Sequence, residues 1–577
     1  MQRLFSGVAT VLLLGCSSVP ITSGTALAQA AAESGSEPQG RLGIVADPVA
    51  DDGQLMFEIM IAEMAGRRGQ LDIAMTGYLR ASERTDDPRV SDRAARLAMF
   101  GRQWAEAEKA ARRWLLLEPD AAEVNEILAQ ALLRQDKTEE AVDVYIVLMN
   151  KAPNQSALMQ QIQAELQSLE NPPQALAAMS SLVENFPDNA ESHLGLARMQ
   201  AATGDNSAAL SSVQNALSLD SGNASALLLQ AQLRLAAGEG DDAFAGIESA
   251  LTENPERPAL RLAYVQLLVE ARQLDGIDEQ FDRLVADSPD DADLLLTVSL
   301  LALDSRRIDR AEIYLGDLLE TGEYADQANF YLGRISDQRG DYQQALNYLE
   351  QVQSGDLQLN AQISIAEILS DNGKLEQGRQ RLHQIAAGVE DPRVKTQLLT
   401  SESRMLQLAN QPSVAVMILS EGLQQYPDNP DLLYARALAA DSAGNQSMLI
   451  DDLDALIALE PENAHALNAL GYHYADSNTE LEKAEVLLVK ANSLLPNDPA
   501  IMDSLGWLRY RQGNYAEATE LLQRAYALFP DPEIASHLGE TLWLDGKQDA
   551  ARAIIEEALV ENPDNDDLMR VLQQYFE

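Results

Sequence analysis

The residues best equipped for chemistry are few and scattered. Cysteine occurs once in 577 residues, as Cys16. The five histidines, His193, His383, His465, His473 and His537, lie in separate stretches of chain. Only His465 and His473 share a predicted helix, two turns apart, and no cysteine or ligand cluster accompanies them to complete a metal site. There is no glycine-rich phosphate loop, no H-E-x-x-H and no G-x-S-x-G. The 90 acidic residues are so numerous that carboxylate pairs arise by chance, and none stands out as a general acid with its base. A glycosidase built on helices would need two carboxylates roughly 5–10 Å apart at the floor of a pocket, and no inserted segment offers one. The sequence therefore predicts no catalytic residue, no metal and no cofactor, and points away from an enzyme.

Charge narrows the partners. With 90 acidic against 42 basic residues the formal net charge is −48, and the isoelectric point is near 4.3. Nucleic acid and anionic lipid are both disfavoured as direct partners. Two readings of the acidity stay open. One is an acidic groove that attracts a basic partner; the other is a solvated surface suited to a salty habitat. Physiological salt screens most of the field beyond about 8 Å.

The amino terminus explains the lone cysteine. Arg3 precedes an apolar run from Leu4 to Leu14, too short to stay in a bilayer as a spanning helix and suited to an export signal. The run ends in Leu13-Leu14-Gly15-Cys16, which resembles a bacterial lipobox: an aliphatic residue, a small residue before the cut, and cysteine as the new amino terminus. Lipidation would give an unpaired cysteine in an exported chain its purpose. The alternative is cleavage after Ala26-Leu27-Ala28 by the general signal peptidase. Ser17, where an aspartate would retain the protein at the inner membrane, resembles the outer-membrane sorting rule. Residues 1–15 are thus expected to be a signal peptide. Residues 16–51, rich in Ser, Ala, Gly and Pro, are expected to be a flexible tether averaging about 30–35 Å end to end.

What must position any binding residue is a repeat. Aligning Leu470-Gly471, Leu505-Gly506 and Leu538-Gly539 brings Ala484, Ala518 and Ala551 into one column, then Leu488, Leu522 and Ile555, then Ala491, Ala525 and Ala558, then Pro496, Pro530 and Pro563. Pro119, Pro153, Pro187, Ser221, Pro255 and Pro289 continue the series at intervals of 34. Each copy reads as helix, turn, helix: small residues at positions 8 and 20 let helices approach, and proline near position 32 stops the second one. In the first copy Ile61, Ala62, Ala74 and Tyr78 fall in core columns. Ile277 and Leu449 break the small-residue rule at position 20, and the interval of 37 from Gly378 to Ala415 marks an insertion.

These columns closely resemble the tetratricopeptide repeat. The resemblance implies an all-α, right-handed superhelical solenoid of about fifteen helix pairs over residues 52–563, closed by a capping helix over residues 564–577 through Leu568, Val571, Leu572 and Tyr575. In that family, positions 2, 5, 9, 12 and 13 of the first helix face the groove. The register then nominates Tyr434, Asn468, Tyr472, Trp507, Tyr510, Arg511 and Trp543 as partner-binding residues, with inter-repeat packing as the competing role for Trp507 and Trp543. Trp114 stands where the family has a small residue, so it either protrudes or closes the amino-terminal end. The whole layout is similar to Gram-negative outer-membrane lipoproteins that hold a periplasmic carboxy-terminal processing protease and deliver peptidoglycan hydrolases to it. This implies a periplasmic, lipid-anchored adaptor with a serine protease and wall hydrolases as partners. The alternative is a scaffold for exopolysaccharide secretion or pilus and secretin assembly.

Overall fold

The computed structural model describes residues 51–576. Cys16, the signal peptide and the tether lie outside these residues. Among the described residues there are 31 α-helices, α1 to α31 in chain order, with one short 3₁₀ turn over Gly240–Asp242 and no strand. Thirty of the helices form fifteen successive antiparallel pairs, and α31 (Asp566–Phe576) stands alone at the end. The chain divides into two compact units, one ending at Asp317 and the other beginning at Leu318.

Local chemistry sets the helix limits. First helices of the later pairs start on an Asx cap followed by proline. Asp498 Oδ1 accepts from the Ile501 amide at 3.0 Å and Asp531 Oδ1 from the Glu533 amide at 2.9 Å, while Pro499 and Pro532 occupy the first turn, where a missing amide costs nothing. Between helices of a pair the chain needs one left-handed residue. Gly513 supplies it at φ 80°, and Arg102 takes the same place at φ 54°.

Packing within a pair turns on a contact too short for an extra methyl. In α25 (Ala464–Asp476), α27 (Pro499–Arg511) and α29 (Pro532–Leu544), position 8 is glycine. A Cβ on Gly471, Gly506 or Gly539 would sit 2.6–2.7 Å from Leu488, Leu522 or Ile555 of the following helix. Those three partners are fully buried. They lie on α26 (Leu481–Leu494), α28 (Tyr515–Leu528) and α30 (Gln548–Glu561), and each contributes about 1.5–3 kcal/mol through burial. The first unit solves the same problem with alanine: Ala94, Ala95, Ala110, Ala111 and Ala129 are all essentially inaccessible.

The terminal helix closes the second unit as expected, with Leu568 and Val571 wholly buried against Ala535, Ile555 and Ala558, and Leu572 and Tyr575 packed alongside. At the other end Ala62, Ala74 and Tyr78 are buried, whereas Ile61 is 38% exposed. No described helix precedes α1 (Asp51–Arg67) to cover it. Trp114 does not protrude. It is buried in the first unit's core, donates Nε1–H to Glu118 at 2.9 Å and lies beneath Arg96 at 5.7 Å.

The close approach yields a prediction. Gly506→Ala should cost about 1–3 kcal/mol in denaturant unfolding, because the new methyl meets Leu522 Cγ at the root of a buried side chain. Gly316→Ala, in a helix with nothing within 4 Å of the added carbon, should instead stabilise by about 0.5–1 kcal/mol.

Candidate functional site

The nominated residues separate into a packed cluster and an open groove, both within the second unit. The cluster is centred on Trp507, which is 4% exposed. Its ring stacks on Tyr510 at 4.4 Å and on His537 at 4.0 Å, with planes within 7° and 18° of parallel, and the Arg511 guanidinium lies 4.7 Å from it. Trp507 donates Nε1–H to Asp476 at 3.2 Å, and Arg511 donates to the backbone oxygen of the same Asp476 at 2.9 Å. Asp476 ends α25, Trp507 and Arg511 lie on α27, and His537 is on α29. One indole therefore ties three successive repeats together.

Around it the polar atoms are paired across repeats. Tyr472 donates its hydroxyl to Glu533 at 2.8 Å, and Tyr510 donates to Glu540 at 3.1 Å. Arg570 of α31 donates to Glu540 at 2.6 Å. Burial, with the neighbouring carboxylates Glu533 and Glu540, holds both phenols far above their usual range, so they stay protonated donors. Trp543 packs on the terminal helix, 4.8 Å from the Phe576 ring and 5.8 Å from Tyr575. So Trp507 is an inter-repeat wedge and Trp543 an anchor for the cap, the packing role that the register left open. Asn468, on α25, is half-buried with its Oδ1 unpaired by any described residue.

His537 pairs with Asp503 inside this cluster, Nδ1 lying 3.0 Å from each carboxylate oxygen. Burial opposes a charged imidazole, but Asp503, through its charge and hydrogen bond, and the charges of Glu533 and Glu540 outweigh it and raise the pKa above 6.5. Of the other histidines, His383 Nε2 lies 2.9 Å from the buried Glu402 carboxylate, His465 is exposed, and the His473 ring lies 5.8 Å from that of Tyr474, tilted by 60°. Among the described residues no group of three His, Cys, Asp or Glu is arranged to hold a metal.

The open groove runs between α21 (Pro392–Leu408) and α23 (Pro430–Ser442). It encloses about 740 Å³ and is lined by Gln397, Thr400, Gln407, Leu408, Tyr434 and Leu438, among others. Leu408 is 62% exposed and Leu438 39% exposed. Tyr434 is half-buried, with burial raising its pKa. Arg404, also on the wall, is paired with Glu367. Of the nominated residues only Tyr434 belongs here. Thr400, Arg404 and Gln407 were not nominated, although counting back from Ala415 at position 20 places them at positions 5, 9 and 12. The signal was present, hidden by the 37-residue interval that breaks the run of proline spacings.

Comparison with known proteins agrees with the columns. The tetratricopeptide repeat family model matches residues 93–152, 165–226, 200–258, 299–356 and 504–566. A TPR repeat-containing protein of Pseudomonas aeruginosa is 36% identical over 489 residues, 84% of this chain and 82% of that one. Bacteriophage adsorption protein A of Escherichia coli is 30% identical over 104 residues, 18% of this chain and 10% of its own length. Among solved structures, yeast Tom70 covers 91% of this chain and 96% of its own at 15% identity, with a TM-score of 0.31. The chain belongs to the tetratricopeptide-repeat proteins. It is a helical-repeat scaffold of the kind that binds other proteins.

Two outcomes test the packed cluster. Trp507→Ala should lower stability by about 3–5 kcal/mol, as expected for emptying a buried aromatic site. Because the folded-state pKa of His537 is raised, its ion pair with Asp503 stabilises fully below about pH 6.5 and is lost as pH climbs through that raised value. The stability difference between wild type and His537→Gln should therefore shrink from pH 6 to pH 9, and an imidazole resonance titrating below 6.5 would contradict this assignment.

Proposed function

We propose that this protein is a non-catalytic adaptor that binds a protein segment along the α21–α23 groove and brings partners together. The observation that carries the reading is the groove's character. In a chain of net charge −48, most of its lining is amide, hydroxyl, phenol and exposed leucine. Such a lining suits an extended peptide: Gln397, Thr400 and Gln407 can bond its backbone, while Leu408 and Leu438 accept apolar side chains. The packed cluster keeps the neighbouring repeats in register, so the groove is presented on a rigid support.

We further propose that the chain is a lipoprotein of the outer membrane facing the periplasm, attached through Cys16. Its partners on this reading are a carboxy-terminal processing protease and the peptidoglycan hydrolases it degrades. What supports this is the lipobox ahead of a low-complexity tether and an array of fifteen helix pairs with no inserted domain among the described residues. The mechanism is co-localisation. Holding enzyme and substrate on one scaffold converts a bimolecular encounter into a local one, with a gain set by geometry.

Purification of the tethered protein from its own envelope tests both levels. Recovery of a PDZ-containing serine protease with wall hydrolases is expected, and Tyr434→Ala with Leu438→Ala should reduce that recovery at least about tenfold, the loss of hot-spot contacts. The helical signal should be unchanged. Recovery of a secretin or polysaccharide-export apparatus would overturn the protease reading, and undiminished capture by the double variant would overturn the groove.

A further inference from the structure

The amino-terminal end of the first unit carries a row of exposed apolar side chains, two columns of which the last three repeats keep covered. Position 3 of the first helix is Ala466, Ile501 or Ile534 in the last three pairs, at most 5% exposed, but in α1 it is Phe57 at 61%. Position 7 is Leu470, Leu505 or Leu538, at most 6% exposed, against Ile61 at 38%. Met56, Met60 and Met64, one helical turn apart on α1, are 66%, 53% and 50% exposed. Inside the array positions 3 and 7 are covered by the second helix of the preceding pair, whereas position 2, the column of Met56, is open there too, as at His465 and Ala500. Ile534, for example, packs on Ala525 and Phe529 at the end of α28, and Leu538 on Leu522. Beside α1, Phe57 and Ile61 line a cleft of about 450 Å³ shared with Ile73 and Gly77 of α2 (Leu71–Ser82). Among the described residues no helix covers this end face.

We infer that a second copy of this chain covers it, with α1 packing antiparallel on α1 of the partner copy about a twofold axis near Met60. Charge selects this occupant. Residues 51–117 hold eleven acidic and eleven basic residues, so nearly all of the net −48 lies elsewhere in the chain. Two copies, each strongly acidic overall, repel one another over most of the chain but not at this end, where charge is balanced and apolar surface is exposed. The row is self-complementary in that orientation, setting Met56 opposite Met64 and Met60 opposite itself, as an isologous contact requires. A membrane surface fits less well. The polar flank of α1 carries Glu58 and Glu63 as well as Arg67, where an interfacial helix is rich in cations, and the rest of the chain is repelled by an anionic leaflet.

A 17-residue helix is about 26 Å long, so the contact covers roughly 400–600 Å² per copy, below the ~800 Å² typical of stable complexes. The dimer is therefore weak in solution, with Kd in the range of about 10–100 µM. On the anchored reading proposed above, both copies are held to one surface by this same end, and confinement makes a weak contact sufficient.

Sedimentation equilibrium of the chain carrying Cys16→Ser, which removes the lipid site and the lone thiol, tests the inference without the anchor or any partner. The expected result is reversible dimerisation between about 1 and 200 µM, weakened at least about thirtyfold by Met60→Glu. The melting temperature should not change, because Met60 is half exposed. With Met60→Cys in the same background, oxidation should give a covalent dimer. A monomer throughout, a dimer indifferent to Met60→Glu, or a monomer that floats with phosphatidylglycerol vesicles through this face would each overturn it. None of these outcomes bears on the protease reading, so the two fail separately.

Discussion

Everything in this protein depends on how closely the two helices of a pair can approach. Where position 8 is glycine, the facing leucine or isoleucine occupies the space that a Cβ would need, leaving 2.6–2.7 Å at Gly471, Gly506 and Gly539. That contact fixes the distance and rotation of one helix against the next. Repeated at intervals of about 34 residues, it keeps the same columns buried and the same columns on the groove face, pair after pair. Binding residues are then a by-product of register. A side chain at position 5, 9 or 12 is presented to a partner because positions 8, 20 and 24 have already been committed to the core.

The acidic character is laid over that scaffold rather than built into it. Carboxylates that do enter the interior are paired: Asp503 with His537, Glu540 with Arg570 and Tyr510, and Asp452 with Arg436 at 2.6 Å. Net charge is low along the lining of the α21–α23 groove, where Asp431 is the one acid and Arg404 is already paired, and at the amino-terminal end, where opposite charges balance. In a chain carrying 90 acidic residues, another molecule can approach either place with little electrostatic cost.

Much of the fold was legible because small residues and prolines report geometry directly. Gly506, Ala518 and Pro530 each have one steric reason to be where they are, so the fifteen pairs and the closing helix could be counted from the sequence. The site was less legible because a groove position specifies direction and not exposure. Trp507 has the register of a binding residue, yet His537 of the next repeat and Arg511 one turn along close over it, and a single-repeat pattern carries no information about either neighbour. Thr400 and Gln407 escaped notice for the opposite reason, since the inserted residues before α21 shift the proline spacing while leaving the Ala415 column intact. Ile61 fell in a core column, but no described helix precedes it to make that column a core.

The central claim is that partners are held in the α21–α23 groove while the outer helices serve only as support. A photo-crosslinking amino acid placed at Leu438 in the groove, and separately at Val486 on α26, which is 69% exposed, tests it in the native envelope. Adducts with a partner protein should form from position 438 and not from position 486. Adducts from 486 alone would place the partner on the outer helices and contradict the groove as the binding surface.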